Sequence, residues 1–240
     1  MSNLDLTIVV PTYNLGHYLP ETLKSIQQQT IDFELWLIDD ASTDGTAQTV
    51  ADFVKGIPNF HATGFNHHRG IGAARNFGID HATGQAVAFV DGDDLIAPAF
   101  GATLSHGFTS GVVATAVGYD WWHRSRGGPN RFQLLSQREM FDQVSRHGSE
   151  VGGYIWNKAF SRDALTAGNI RYDEQLRIAE DYYFTADFVA HTPGKYAYNP
   201  TILYTKVNHR NSTMHNFSWA DRRQEDQIFE RIHRMRQLIQ

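Results

Sequence analysis

Short apolar runs alternating with amphipathic stretches mark this chain as α/β, with a mostly parallel central sheet flanked by helices and a helical extension at the C-terminus. Three observations carry that expectation. The first strand-like run, Leu6 to Val10, is β-branched and continuous rather than alternating, as in sheets buried on both faces. The connections between them are short, which a parallel sheet closes with right-handed crossovers. Each run stops at polar residues, and ligands of such sheets bind at the carboxyl ends of the strands.

Leu6-Thr7-Ile8-Val9-Val10 is the first strand, ending at Pro11, and Leu15 to Gln29 has helical apolar spacing through Leu19, Leu23 and Ile26. Phe33 to Ile38 is the second strand, stopping at Asp39 and Asp40. A polar turn follows, with Thr43 or Asp44 capping a helix that runs to Lys55. Asn59 to Thr63 is a third strand, and Gly72 to Ile79 belongs to a helix ending near Gly84. Ala86 to Val90 is the fourth strand, and it delivers Asp91-Gly92-Asp93-Asp94 at its end. Beyond Pro98 the pattern loosens. Gly111 to Trp122 reads as a strand, Arg124 to Arg131 as a loop, Leu134 to His147 as a helix and Gly152 to Lys158 as a strand. Ser161 caps a short helix to Ala167, and Glu180 and Asp181 open one through Ala190. Lys195 to Tyr204 is a strand, and Trp219 to Ile239 is a final helix striped by Ile228, Ile232, Met235 and Ile239.

The bulk numbers narrow the function class. Of 240 residues, 41% are apolar and 20% charged, ordinary for a globular protein with a real core. A net charge of −5 argues against a nucleic-acid binder. With no cysteine, thiolate metal sites and cysteine nucleophiles are excluded. The stretch Met1 to Asp5 lacks signal-peptide character, and no apolar run reaches the roughly 18 residues that span a bilayer. A cytoplasmic protein, peripheral at most to the inner face of the membrane, is expected. No linker or repeat forces a cut. The chain divides as one domain over 1–240, with a binding half at 1–100, a second half at 101–215 and a terminal helix at 216–240.

Asp91, Asp93 and Asp94 form a D-x-D cluster whose plain reading is a solvated turn. Placed after a buried strand, with Asp39 and Asp40 at another strand end, it suits a divalent cation, because packed carboxylates repel unless neutralised.

Four stretches in order resemble the family 2 glycosyltransferases of GT-A (Rossmann-like) fold. They are Ile8-Val9-Val10-Pro11-Thr12-Tyr13-Asn14; Leu37-Ile38-Asp39-Asp40-Ala41-Ser42-Thr43-Asp44-Gly45-Thr46; Arg69-Gly70-Ile71-Gly72-Ala73-Ala74-Arg75-Asn76; and Ala88-Phe89-Val90-Asp91-Gly92-Asp93-Asp94. The resemblance implies an inverting transferase using a nucleotide-diphosphate sugar, a UDP-sugar favoured, and a divalent metal, Mn2+ or Mg2+. It puts Pro11, Thr12, Tyr13 and Asn14 at the base pocket, with Tyr13 packing on the base. It gives Asp40 a hydrogen bond from the base imino N–H, with Asp39 close by. Asp91, Gly92 and Asp93 fall near ribose and donor sugar, and Asp93 and Asp94 near the metal. Arg69 or Arg75 reaches the diphosphate or the sugar, or Arg75 pairs with a carboxylate on the sheet.

Farther on, Ile155-Trp156-Asn157-Lys158-Ala159-Phe160 and Ala179-Glu180-Asp181-Tyr182-Tyr183-Phe184 are similar to the family's acceptor side and its E-D pair. That similarity makes Asp181 the general base supported by Glu180, and puts Trp156, Asn157 and Lys158 by the acceptor. The plain alternative for Glu180 and Asp181 is helix N-terminal charge. Tyr204 to Ser212 resembles the family's closing segment, in which Lys206, His209 or Arg210 meets diphosphate or metal. Trp121, Trp122 and Trp156 are core residues or stack on acceptor sugar rings. The acceptor implied is a saccharide or glycolipid, in surface polysaccharide or glycolipid synthesis. The last helix packs on the domain, dimerises, or docks on an anionic membrane surface; its acids weaken the membrane option. Two rivals are a nucleotidyltransferase, which needs a Gly- and basic-rich loop where Pro11-Thr12-Tyr13-Asn14 stands, and a non-catalytic nucleotide-sugar-binding module, which needs no Asp181.

Overall fold

A computed structural model describes residues 4–121, 124–208 and 219–239. In chain order the strands are β1 (Leu6–Thr12), β2 (Glu34–Asp39), β3 (Phe60–Gly64), β4 (Ala86–Phe89), β5 (Leu95–Ile96), β6 (Val112–Trp121), β7 (Arg124–Arg126), β8 (Gln133–Ser136), β9 (Lys158–Ser161) and β10 (Lys195–Lys206). The helices are α1 (Leu19–Gln27), α2 (Thr46–Val54), α3 (Ile71–His81), α4 (Phe100–His106), α5 (Gln137–Val144), α6 (Arg162–Ala167), α7 (Glu180–His191) and α8 (Trp219–Met235), the last running into a short 3-10 turn.

The strands form one sheet in the order β3-β2-β1-β4-β9-β6-β10-β5, with β7 added beside β6 and β8 beside β10. β3, β2, β1 and β4 are parallel, and β6 runs parallel to β10. The short β9 is antiparallel to both of its neighbours and joins the two parallel halves. Every residue of β1 is buried, as a strand covered on both faces requires. β1 runs on through Pro11, where the sequence suggested a stop. β4 pairs with β1 only as far as Val9, so Pro11 sits where one side has no ladder to lose.

Three expectations in the second half are corrected. Arg124 to Arg126, expected as loop, is strand β7, paired antiparallel with the end of β6. Gly152 to Asn157 is loop, and strand begins only at Lys158. The Asn157 amide donates to the Val117 and Val151 carbonyls, and the Lys158 ammonium to Val151 and Tyr154, so side chains replace the ladder there. The helix expected from Leu134 is strand β8 up to Ser136, and α5 then starts from a capping box. The Ser136 hydroxyl accepts from the Glu139 N–H, and the Glu139 carboxylate accepts from the Ser136 N–H. α8 lies on α7 through the buried Ile228 and Ile232. Among the described residues, no helix is long and apolar enough to cross a membrane.

Candidate active site

The carboxyl ends of β1 and β2 are tied together by their own polar residues. The Thr12 hydroxyl donates to Asp39, whose carboxylate also accepts from the Ser42 N–H and hydroxyl at 2.9 and 2.6 Å. The Asn14 side chain accepts from the Thr43 N–H at 2.8 Å, fixing the loop after β1 to the loop after β2. Asp40 is 3% exposed and accepts from the backbone N–H groups of Arg69 and Gly70, each at 2.7 Å. His68 closes on the same carboxylate at 2.9 Å. Both acids therefore shape the rim. The exposed groups there are Tyr13, 45% accessible, and His68, whose ring centroid is 4.2 Å from that of Tyr13. His68 had no sequence signal beyond being one histidine of a loop pair.

At the end of β4, Gly92 packs so closely on β1 that a Cβ there would overlap the Leu15 side chain. That approach sets the acidic turn against the first loop. Asp91, Asp93 and Asp94 each offer an oxygen within 4.8 Å of the others. The Lys206 ammonium, at the end of β10, lies 3.0 Å from Asp91, 2.9 Å from Asp94 and 3.9 Å from Asp93. Asp94 is fully buried and accepts from the Tyr204 hydroxyl at 2.6 Å and the Val207 N–H at 2.8 Å as well. Burial pushes its carboxyl up to about 7 against the pull of Lys206. Asp91 is driven the other way. Burial would raise it, but Lys206 and Arg75 together hold it at about 2. The expected metal ligand His209 lies outside the described residues, as do Arg210 and Trp122.

Arg75 joins this cluster to the second acidic pair. Its guanidinium donates to Asp91 at 2.9 Å and to Glu180 at 3.3 Å, with 3% of the side chain exposed. Of the two options for Arg75, the structure has the carboxylate pairing. Burial disfavours its charge, yet Tyr172, Asp91 and Glu180 hold its pKa above the ordinary value. Arg69 stays at the surface, paired with Glu174 at 3.3 Å and lying over the Phe65 ring. Glu180 and Asp181 open α7 directly after Ala179, a non-glycine residue with φ of 49°. Left-handed backbone at a residue with a Cβ costs energy and recurs at sites where position matters. Burial, then the Glu180 charge beside it, push the Asp181 carboxyl up to about 7.

The acceptor-side trio is placed differently from expectation. Trp156 is 3% exposed, and Asn157 and Lys158 are fully buried. Trp156 is instead the middle ring of a stack, 4.6 Å from Tyr204 and 4.8 Å from Tyr154. Burial pushes the Lys158 ammonium down to about 7, and its three oxygen partners hold the loop that presents Tyr154. Aromatic packing and this loop, not a polar acceptor contact, account for the motif.

The family model described as Glycosyl transferase family 2 matches residues 7–166. The uncharacterized glycosyltransferase EpsJ of Bacillus subtilis is 28% identical over 75% of this chain and 54% of its own length. Residues 1–349 of S. aureus TarS, in complex with UDP-GlcNAc, superpose with a TM-score of 0.73 at 22% identity, over 90% of this chain and 62% of that one. The mannosyltransferase PcManGT of Pyrobaculum calidifontis, in complex with GDP-Man and Mn2+, gives 0.66 at 22% identity, over 88% and 59%. These structural likenesses show the GT-A fold. The chain spans about half the length of EpsJ, at 54%.

Proposed function

The chain belongs to glycosyl transferase family 2, and from that premise we propose that it moves a sugar from a nucleoside diphosphate donor to a hydroxyl of a saccharide or glycolipid, with inversion at C1. The observation that carries this reading is Arg75, whose one guanidinium spans Asp91 of the acidic cluster and Glu180 beside Asp181. It brings the acidic cluster and the half-buried Glu180-Asp181 pair within the reach of one side chain.

In this reading Tyr13 and His68 receive the nucleobase, with UDP the favoured nucleotide. Lys206 and Arg69 face the diphosphate with positive charge. The acceptor O–H attacks C1, its proton passes to the Asp181 carboxylate, and the bond from C1 to the diphosphate oxygen breaks with its electron pair leaving on the phosphate. A carboxylate whose pKa is raised to about 7 is a stronger base than an ordinary one and is ionised in part near neutrality. Glu180, neutralised by Arg75, holds the helix start in place. Three convergent carboxylates are an oxygen donor set that fits Mn2+ or Mg2+. Asp93, the least committed to Lys206, would hold such an ion with Asp94 once Lys206 yields a contact. The ion would supply charge neutralisation on the departing diphosphate. A glycolipid acceptor would bring the reaction to a membrane surface.

Asp181→Asn tests the base. Transfer at saturating donor should fall by about 10²–10⁴-fold while UDP binding persists. Transfer at the parent rate would remove Asp181 from the role, and absence of transfer by the parent from any nucleotide sugar would sink the whole reading.

A further inference from the structure

On the other side of the aromatic stack a cleft of about 330 Å³ opens, lined by Tyr119, Trp121, Arg126, His147, Gly148 and Tyr154. That volume is at the lower end of the range for small-molecule sites. Its walls are rings set at right angles. Tyr154 meets Trp121 at 5.4 Å and 89° and Tyr119 at 5.8 Å and 78°. Trp121 and Tyr154 are half-buried, so each keeps ring surface for a ligand. Such a corner suits a sugar, whose C–H face stacks on one ring while its edge meets another.

The polar groups of the cleft are unevenly matched. His147 has Glu225 at 3.3 Å. Arg126 hydrogen-bonds the Tyr119 phenol and also acts on the Tyr198 phenol, which Glu150 meets from its own side. A half-exposed guanidinium bonded directly to a phenol in an aromatic cleft keeps donors for an anion from outside. Behind the wall lies the 3%-exposed Tyr182, whose phenol shares a side-chain hydrogen bond with that of Tyr154. Its ring lies 5.1 Å from Tyr154 and 4.8 Å from His147. Position adds to chemistry, because Tyr182 directly follows Asp181 at the start of α7.

We propose that this cleft is the acceptor subsite, and that it takes a saccharide bearing a carboxylate or a phosphate: a sugar ring stacks on Trp121 and Tyr154, and the anionic group pairs with Arg126. Calling the ligand the acceptor rests on the glycosyltransferase reading above. Binding of an anionic saccharide does not. Nucleotide is expected at Tyr13 and His68 instead, so the two sites are separable.

The test is saturation-transfer NMR on the whole chain with methyl glucuronide, glucose 6-phosphate and the neutral methyl glucoside, with UDP binding followed by thermal shift in parallel. The charged probes should bind about tenfold more tightly than the neutral one. Whichever charged probe binds better identifies carboxylate or phosphate as the group. Arg126→Gln should bring it down to the affinity of methyl glucoside, and Trp121→Ala should abolish saturation transfer to all three. If Trp121→Ala fails to fold, Arg126→Gln decides alone. The inference is overturned if UDP binds and no saccharide does, if the three probes bind alike, or if Arg126→Gln leaves the preference intact. If the saccharides bind as expected and no nucleotide does, the cleft stands and the donor reading fails.

Discussion

Arg75 and Asp181 carry the sharpest predictions at the scale of single side chains. Arg75 is buried between Asp91 and Glu180, so removing it strands two acids. Breaking a buried pair from one side costs about 3–5 kcal/mol, and that loss is expected for Arg75→Met in chemical denaturation. Arg75→Lys keeps the charge but not the two-pronged reach, and should recover only part of it. Asp181 predicts a pH dependence. With its carboxyl raised to about 7, kcat/KM should climb with pH through that region, and Asp181→Asn should lose the limb. Stability runs the opposite way. A folded pKa above the unfolded 3.8 favours folding at low pH, and that advantage disappears as pH rises through about 7. Asp181→Asn should therefore be more stable than the parent at pH 8, with the gap closing toward pH 4; equal melting at both would contradict the burial. Motif order alone singled out Asp181. Lys206 as the internal counter-charge of Asp94 was not, because the two are 112 residues apart and no local pattern links them.

At the scale of elements, the parallel half was the legible half. β1, β2 and β4 are short, largely apolar runs, β-branched in β1, whose burial leaves little choice of conformation. β9 and β5, with four and two residues, are strands only because neighbours offer ladders, and propensity cannot signal that. The Ser136 capping box was a local signal that apolar periodicity from Leu134 hid. Helix packing gives a sharper prediction. A Cβ on Gly78 of α3 would overlap the Val9 side chain of β1, so α3 lies on the sheet at a distance only glycine permits. Gly78→Ala should cost about 1–3 kcal/mol and displace the helix that carries Arg75. At Gly45 a Cβ meets nothing within 4 Å, so Gly45→Ala should stay within about 0.5 kcal/mol of the parent. Equal melting temperatures for the two variants would refute this view of the α3–β1 contact.

Across the whole molecule, the ends of β1, β2, β4 and β10 and the start of α7 converge on one edge of the sheet, with its acids already neutralised from within. Order along the chain foretold the first three strand ends, since each follows a recognisable run. The contribution of β10 depends on its crossing to the far side of β6, which only the assembled sheet reveals. That internal neutralisation has a consequence for ligands. Lys206 holds Asp91 and Asp94 at 3.0 and 2.9 Å, so Mn2+ alone must compete with a tethered cation. A nucleoside diphosphate gives Lys206 another anion to face and releases carboxylate oxygens. Metal and UDP should therefore bind cooperatively, and each ligand should raise the other's affinity by the same factor. At about a hundred times its Kd a ligand adds roughly 2.7 kcal/mol of stability, well within reach of a thermal shift. In the parent, the shift with UDP and Mn2+ together should exceed the sum of the separate shifts. Lys206→Met leaves three carboxylates facing one another and should melt lower without metal. It should then gain more than the parent from Mn2+ alone and lose most of the coupling to UDP. Additive shifts in the parent, or the same coupling in Lys206→Met, would show that Lys206 does not govern access to the acidic cluster.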